Sequence, residues 1–450
     1  MKFGGTSVAR AEHWRAIRGL VDRCRAERRR SLVVVSALAG VTDLLLDLDR
    51  ADAGAAVDTA PLRRRHADLA DDLGVPADPW LEEGMESLER ALAAPRGAER
   101  TAAVLAHGEW FSSQLGAAWL RGGPYTVRWV DAREALAALP EPDPGAPRAW
   151  LSARCDAHAD EALQHRWGRA AEVLVTQGYV VRAPAGGTAL LGRSGSDTSA
   201  ALLGARLAAE RVEIWTDVPG LFTADPRLEP NARLITELGW EEALEMAASG
   251  ARVIHGRSIR AAAAAGLPLW IRDLADPDGP GTHILADPNA TDARARAVTS
   301  QPGMLVLLLR NLDTRQQVGF LAGVFRVISE RGLSVDQVAT SETTTTLAID
   351  AEANHLDAAG RAALVDDLSS LCQVTPFPDC VCVSVVGRDA RLAIPDLAAT
   401  GAFLAGHRLL MLSHSAADRS VSFLVDAAAA PELARTLHAA LVVGKEPSHG

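Results

Sequence analysis

Three short segments of this chain carry residue types that suit the handling of phosphate. In Lys2-Phe3-Gly4-Gly5-Thr6-Ser7 the paired glycines let the backbone approach a phosphate closely, and the following amides and hydroxyls can cradle its oxygens. The lysine would supply a point charge to a transferring phosphoryl group. It precedes the glycines, so this is not a Walker A loop, and an ordinary turn with a solvated lysine would use the same residues. A second loop, Leu191-Gly192-Arg193-Ser194-Gly195-Ser196-Asp197-Thr198-Ser199, runs into an Ala/Leu helix over 200–210 whose N-terminus is an anion site. Asp197 could simply cap that helix, but a cap needs neither the arginine nor the repeated glycines. The third segment, Trp215-Thr216-Asp217-Val218-Pro219-Gly220-Leu221-Phe222-Thr223-Ala224-Asp225-Pro226-Arg227, leaves a strand through a Pro-Gly turn. It reads either as a tight loop solvated by its aspartates or as a nucleotide pocket. In the pocket, Phe222 lies beside the base, Asp217 on ribose or base, and Arg227 on phosphate.

These segments need elements to hold them. Apolar, β-branched runs at Ser31–Ala37, Val173–Tyr179 and Arg211–Thr216 read as buried strands. Helical stretches lie around 61–72, 80–93 and 100–121, and the alternation implies an α/β fold with a largely parallel sheet. A polar, Pro/Gly-rich segment from Asp276 to Asn289 marks a domain boundary between about 284 and 300. Beyond it, strands at Met304–Leu309, Leu333–Val338 and Thr345–Ile349 enclose helices over Phe320–Arg331 and Leu356–Leu371. The pattern then recurs with Val381–Val386, a helix near 395–405, His407–Leu412, Val421–Val425 and a helix over Pro431–Leu441. This predicts two tandem α+β ferredoxin-like modules, over 300–375 and 376–445, after a first domain over 1–287.

Composition narrows the classes. With 450 residues, 48% hydrophobic and 23% charged, the chain is neither disordered nor fibrous. A net charge of −11 argues against nucleic acid as a partner. Five scattered cysteines suit a reducing compartment, and no leader or membrane-length apolar run is visible. Cys380 and Cys382 alternate in an apolar run and read as core-strand residues, so no protein metal site is expected. Of the 46 basic residues all but two, Lys2 and Lys445, are arginine. Lys2 survives that bias inside a glycine motif, where a compact ammonium fits and a guanidinium does not.

The three segments, in this order and spacing and together with Ala106-His107-Gly108-Glu109, resemble aspartate kinases of the amino-acid kinase family. The likeness runs to the C-terminal modules, which resemble ACT domains. It implies a three-layer amino-acid kinase-like fold and ATP-dependent phosphorylation of the aspartate side chain with Mg²⁺ on the phosphates. By the same resemblance Lys2 stabilises the transferring group, Asp197 orients Lys2, and Phe3, Gly4, Gly5 and Ser196 contribute to the phosphate cradle. Ser36 and Thr42 line the substrate site, Glu109 accepts the substrate ammonium near the start of an apolar helix, and Arg193 pairs with its carboxylate. Thr216, Asp217, Phe222, Arg227, Arg252 and Val253 hold ATP.

The chain departs from that family in places. Arginine stands at 252 where lysine is usual, glycine at 256 where proline is usual, and only Met1 precedes the motif lysine. In the C-terminal half, Gly319, Phe320 and Leu321 with Ser334, Val335, Asp336, Ser341 and Glu342 resemble an amino-acid effector site. Lysine is the expected effector and threonine the second choice. A cytoplasmic homodimer or tetramer paired through the modules is implied. Two other readings are a non-catalytic, lysine-binding regulatory subunit and the kinase part of a bifunctional fusion enzyme.

Overall fold

The computed structural model describes residues 1–51, 58–251, 253–286, 296–310, 318–388, 390, 406–414 and 417–443. Two compact units emerge. The first is Met1–Leu221, Leu234–Leu244 and Val253–Asn289; the second is Phe222–Arg233, Glu245–Arg252 and Ala290–Gly450. The first domain expected over 1–287 is therefore not one uninterrupted stretch, because two of its segments fold with the C-terminal unit.

Among the described residues ten strands build the first unit: β1 (Lys2–Phe3), β2 (Ser31–Val35), β3 (Val127–Trp129), β4 (Val173–Gln177), β5 (Val180–Arg182), β6 (Thr188–Leu190), β7 (Val212–Thr216), β8 (Glu237–Gly239), β9 (Leu269–Asp273) and β10 (Thr282–Leu285). Eight of them form one sheet in the order β3-β4-β2-β1-β7-β9-β10-β8, parallel throughout except between β9 and β10. Every residue of β4 is buried, as the unbroken apolar runs require of a sheet covered on both faces. The strand β1 has two residues but pairs on both sides, with β2 and β7. The half-buried Met1 amino group donates to the Leu32 carbonyl at 2.8 Å. Beside it lies a cavity of about 540 Å³ lined by Ser31, Leu32, Val212, Glu213 and Trp167.

The helices Ala60–Leu73, Asp78–Ala93 and Ala98–Leu120 lie within a residue or two of their expected positions. The first two begin with proline in the first turn, where its missing N–H costs nothing, and Gly74 ends the first in the left-handed conformation. The long Ala98–Leu120 helix is buried along much of its length. Gly108 brings it against the chain leaving β2, since a Cβ there would come 2.8 Å from the Ala37 Cβ.

In the second unit six strands make one antiparallel sheet: β11 (Ala297–Arg310), β12 (Gln337–Thr340), β13 (Thr344–Asp350), β14 (Gln373–Val386), β15 (Leu409–His414) and β16 (Ser420–Asp426). The order is β12-β13-β11-β14-β16-β15. The two modules are not successive, as the repeat suggested. Both β11 and β14 are 14 residues long and run through both halves. Met304–Arg310 pairs with β13 and with Gln373–Cys380, closing the first half. Among the described residues the C-terminal repeat shows no closing strand of its own; Ala297–Gln301, which precede the first half, pair with Cys382–Val386 in that place. The expected boundary at 375/376 therefore falls inside β14. The helices Phe320–Glu330 and Ala358–Ser369 cover the first half through Leu305, Leu307, Val324 and Leu364, and Ala430–His438 covers the second through Val383, Phe423, Leu433 and Leu437. Alternation puts Met304, Val306, Cys380 and Cys382 on the opposite face. The helix expected near 395–405 lies outside the described residues.

One buried group makes the first unit pH-sensitive. His66 is fully buried against Phe111, its Nδ1–H donates to the Leu62 carbonyl at 2.9 Å, and its Nε2 has no partner. Burial pushes its pKa from 6.5 down to about 4. The unfolded chain binds a proton that the folded chain refuses, so stability rises with pH through that window, by about 3 kcal/mol. Urea unfolding of wild type and His66→Phe between pH 4 and 6.5 should give a shallower slope for the variant; identical slopes would contradict this.

Candidate active site

The register of the sheet assembles the site. Phe3 pairs with Val35 and with Trp215, and Val35 pairs with Gln177. The next residues, Gly4, Ser36, Thr216 and Gly178, therefore leave four adjacent parallel strands at one level. Ligands of open parallel sheets bind outside the carboxyl ends of the strands. Lys2 sits on β1 itself, and its Nζ meets Asp197 Oδ1 at 2.6 Å, with both side chains 10% exposed.

Asp197 arrives from the helix Gly195–Arg206. The cap of that helix is Ser194, in the left-handed region at φ 49°; Asp197 lies inside the first turn and makes no cap bond. The first turn, with Ser196, is buried and close to the strand ends. Gly178 permits this, since a Cβ there would come 2.6 Å from Ser196 Cβ. Gly5 is equally constrained: a Cβ would lie 2.8 Å from the Ala37 carbonyl oxygen. Its own carbonyl accepts from the Ala39 N–H at 3.2 Å, tying the two loops together.

Glu109 lies mid-helix rather than near the helix start, in Ala98–Leu120. It is 5% exposed, and Oε2 has no hydrogen-bond partner among the described residues. Burial pushes its pKa up to about 8, against hydrogen bonds from the Ala37 backbone and Ser196 and the charge of Lys2. The carbonyl of Ser36 accepts the Ser112 hydroxyl at 2.6 Å, which fixes the chain just past β2. Thr42 is half-buried in the first turn of the helix Val41–Arg50, behind Gly40 at φ 78°. Arg193 is exposed, next to Gly192 at φ 77°.

Two residues of this region were not singled out from the sequence. Tyr179 follows Gly178 with φ 69°, and its N–H donates to Ser199 Oγ at 2.8 Å. A non-glycine residue held there is strained, and such strain gathers at functional sites. Its neighbour Gly178 was the only signal. Arg257 donates to the carbonyls of Leu191 and Ala153, bracing the loop that carries Arg193. No local pattern announces that contact.

The remaining candidates separate. In the first unit Thr216 Oγ1 donates to Asp217 Oδ1 at 3.2 Å, and Asp217 is exposed. Val253 is half-buried in a turn, and Arg252 lies outside the described residues. In the second unit Phe222 is half-buried, and Arg227 is exposed and paired with Asp225 at 2.7 Å. Among the effector candidates, Gly319 caps the helix that Phe320 and Leu321 begin. Ser341 Oγ shares a hydrogen bond with Thr344 Oγ1 at 2.7 Å in the turn after β12, where exposed Glu342 also lies. Ser334, Val335 and Asp336 precede that strand, and Asp336 accepts the Asp350 N–H at 2.7 Å. The four residues of β12 separate Asp336 from Ser341, five steps along the strand or about 17 Å at ~3.3 Å per residue. One amino acid within one chain cannot bridge them.

The amino acid kinase family model matches residues 1–273. The chain is 30% identical over 458 residues to lysine-sensitive aspartokinase 3 of Escherichia coli, covering 98% of each. This chain belongs to the amino acid kinase family, among the aspartokinases. Aspartokinase 1 of Arabidopsis thaliana chloroplasts is 28% identical over 97% of this chain and 79% of its own length. The crystal structure of E. coli aspartokinase III with aspartate and ADP superposes with a TM-score of 0.78 at 28% identity, covering 98% of both chains. The same enzyme with lysine and aspartate gives 0.74 over the same share.

The geometry of Lys2 generates a test. A guanidinium cannot occupy the slot that holds Nζ against Asp197 without displacing the helix turn. Lys2→Arg should lower kinase turnover about a hundredfold or more while circular dichroism stays unchanged. Turnover within tenfold of wild type would remove Lys2 from this role.

Proposed function

We propose that this chain transfers the γ-phosphoryl group of ATP to the side-chain carboxylate of L-aspartate. The product is 4-phospho-L-aspartate, and the step opens lysine, threonine and methionine synthesis. The observation that carries the reading is the buried Lys2–Asp197 pair at the row of strand ends, with the buried carboxyl of Glu109 beside it. The acceptor carboxylate is already ionised at neutral pH, so no general base is needed. The task is to align two anions, and fixed positive charge and backbone N–H groups offset their repulsion.

In this reading Lys2 follows charge onto the transferring group, and Asp197 holds the ammonium in place. Gly4, Gly5 and Ser196 cradle phosphate. Ser36 and Thr42 line the aspartate site, Arg193 pairs with the substrate carboxylate in fork geometry, and Glu109 takes the ammonium. Thr216 and Asp217 serve the nucleotide, as do Phe222, Arg227, Arg252 and Val253. Among the described residues no trio of His, Cys, Asp or Glu is grouped as a metal cage. Mg²⁺ carried on the nucleotide phosphates is part of the proposal. Lysine as inhibitor is part of the proposal, on the analogy of the lysine-sensitive E. coli relative. The separation of Asp336 from Glu342 favours an effector site completed by a second copy, hence a homo-oligomer. A cytoplasmic location is inferred with it.

The deciding assay traps the acyl phosphate as its hydroxamate, with and without lysine. Aspartate-dependent hydroxamate that lysine suppresses supports catalysis and regulation together. Lysine binding without any hydroxamate would favour a regulatory subunit instead.

Glu109 sets a pH dependence. Burial favours its neutral acid form at neutral pH, pushing the pKa up to about 8. A substrate ammonium favours the carboxylate, so binding must expel the proton. The KM for aspartate should therefore fall as pH rises from 6.5 to about 8 and then level off, and Glu109→Gln should lose the slope while binding weakly. A flat wild-type profile would sink this assignment.

A further inference from the structure

Of the residues proposed for the nucleotide, Phe222 and Arg227 lie on the segment Phe222–Arg233, which folds with the C-terminal unit. Within that unit the segment is pinched shut at its base. The Thr223 N–H donates to the Arg233 carbonyl at 2.9 Å, and the Arg233 N–H donates to Thr223 Oγ1 at 2.9 Å. The Thr223 carbonyl accepts the Val298 N–H at 2.8 Å, which joins the segment to the start of β11.

The same hydroxyl has one more partner. His438, at the end of the helix Ala430–His438, places Nε2 2.9 Å from Thr223 Oγ1. Thr223 is 8% exposed and His438 1%. Among the described residues the other ring nitrogen, Nδ1, is buried without a partner, and the bond to Thr223 is the one side-chain hydrogen bond of this ring. A second tie runs alongside it, from the Arg233 guanidinium to the Val442 carbonyl at 3.1 Å. Neither reacting groups nor core packing explains a buried imidazole aimed at a loop hydroxyl. An apolar ring would fill the same space without leaving Nδ1 unsatisfied.

We infer that His438 and Thr223 are positioning residues for the nucleotide. Their bond fixes the peptide next to Phe222 and so sets where the Phe222 ring and the Arg227 guanidinium are presented. This rests on the proposed role of Phe222 and Arg227 in holding ATP. The bond touches no reacting atom, so its loss acts on nucleotide affinity and leaves the aspartate side unaffected.

Four variants of the full chain test it. Thr223→Val and His438→Phe keep volume and remove the bond; Thr223→Ser and His438→Gln keep a hydroxyl and a side-chain nitrogen at about the right reach. The first pair should raise the KM for ATP about five- to tenfold, with the KM for aspartate and kcat within about twofold of wild type. The conservative pair should stay near wild type. The Thr223→Val/His438→Phe double variant should be no worse than Thr223→Val, which already removes this bond together with the one from the Arg233 N–H. Direct titration with ADP should show the same weakening. If His438→Phe fails to fold, His438→Leu replaces it, since only a change at His438 leaves the Arg233 N–H bond to Thr223 Oγ1 in place. A folded Thr223→Val with unchanged ATP affinity, or one whose aspartate and ATP constants rise together, overturns the inference. Phe222→Ala and Arg227→Ala run in parallel separate the two claims. If they leave ATP affinity intact, the nucleotide role of the segment falls and the positioning role with it; if they weaken it while Thr223→Val does not, only the positioning role falls.

Discussion

A lysine ammonium held 2.6 Å from an aspartate, with both side chains 10% exposed, sets the terms for the first unit. Burying either charge alone would cost several kcal/mol, and burying the pair roughly breaks even. Such a pair persists where the charge has a task, and the rest of the unit brings its halves together. Lys2 needs a strand in the centre of the sheet. Asp197 needs a helix whose first turn reaches that strand. Both need glycines, at 5 and 178, where any Cβ would collide with a neighbouring loop or with Ser196. The pair is thus a constraint on the register of four strands rather than a local decoration.

Much of this was legible in the chain because it is local. Glycine loops, the apolar run of β4 and the spacing of the long helices report on their own neighbourhood. What failed to read is what depends on partners far along the sequence. Glu109 is deep in its helix, since only packing against Ala37 shows which turn meets the site. Tyr179 looks like the end of a strand; its left-handed backbone becomes visible only when Gly195 is seen beside its ring, where a Cβ would come 2.3 Å from Cδ2. Asp336 and Glu342 sit six positions apart and look like neighbours. The extended strand Gln337–Thr340 lies between them and holds them apart.

The same distinction governs the division of the chain. Composition shifts at the polar segment around 276–289, and a boundary there is a fair reading of sequence. The units are set by contacts instead. Phe222–Arg233 precedes that segment and yet folds with residues beyond 296, through Thr223, Val298, Arg233 and Val442.

The six-stranded sheet has a consequence for the order in which the chain acquires its structure. Met304–Arg310 and Gln373–Cys380 close the first half using residues that lie within one stretch of the chain. The second half needs Ala297–Gln301 and Cys382–Val386 to meet, segments about 80 residues apart, with the whole first half between them. Once the first half is formed, it has already drawn the two ends of β11 and β14 side by side. Its formation shortens the loop that the second must close from about 80 residues to a few. The first half is in effect a jig for the second. Without the first half in place, closing the second costs the full loop of about 80 residues and leaves its β14 edge unpaired.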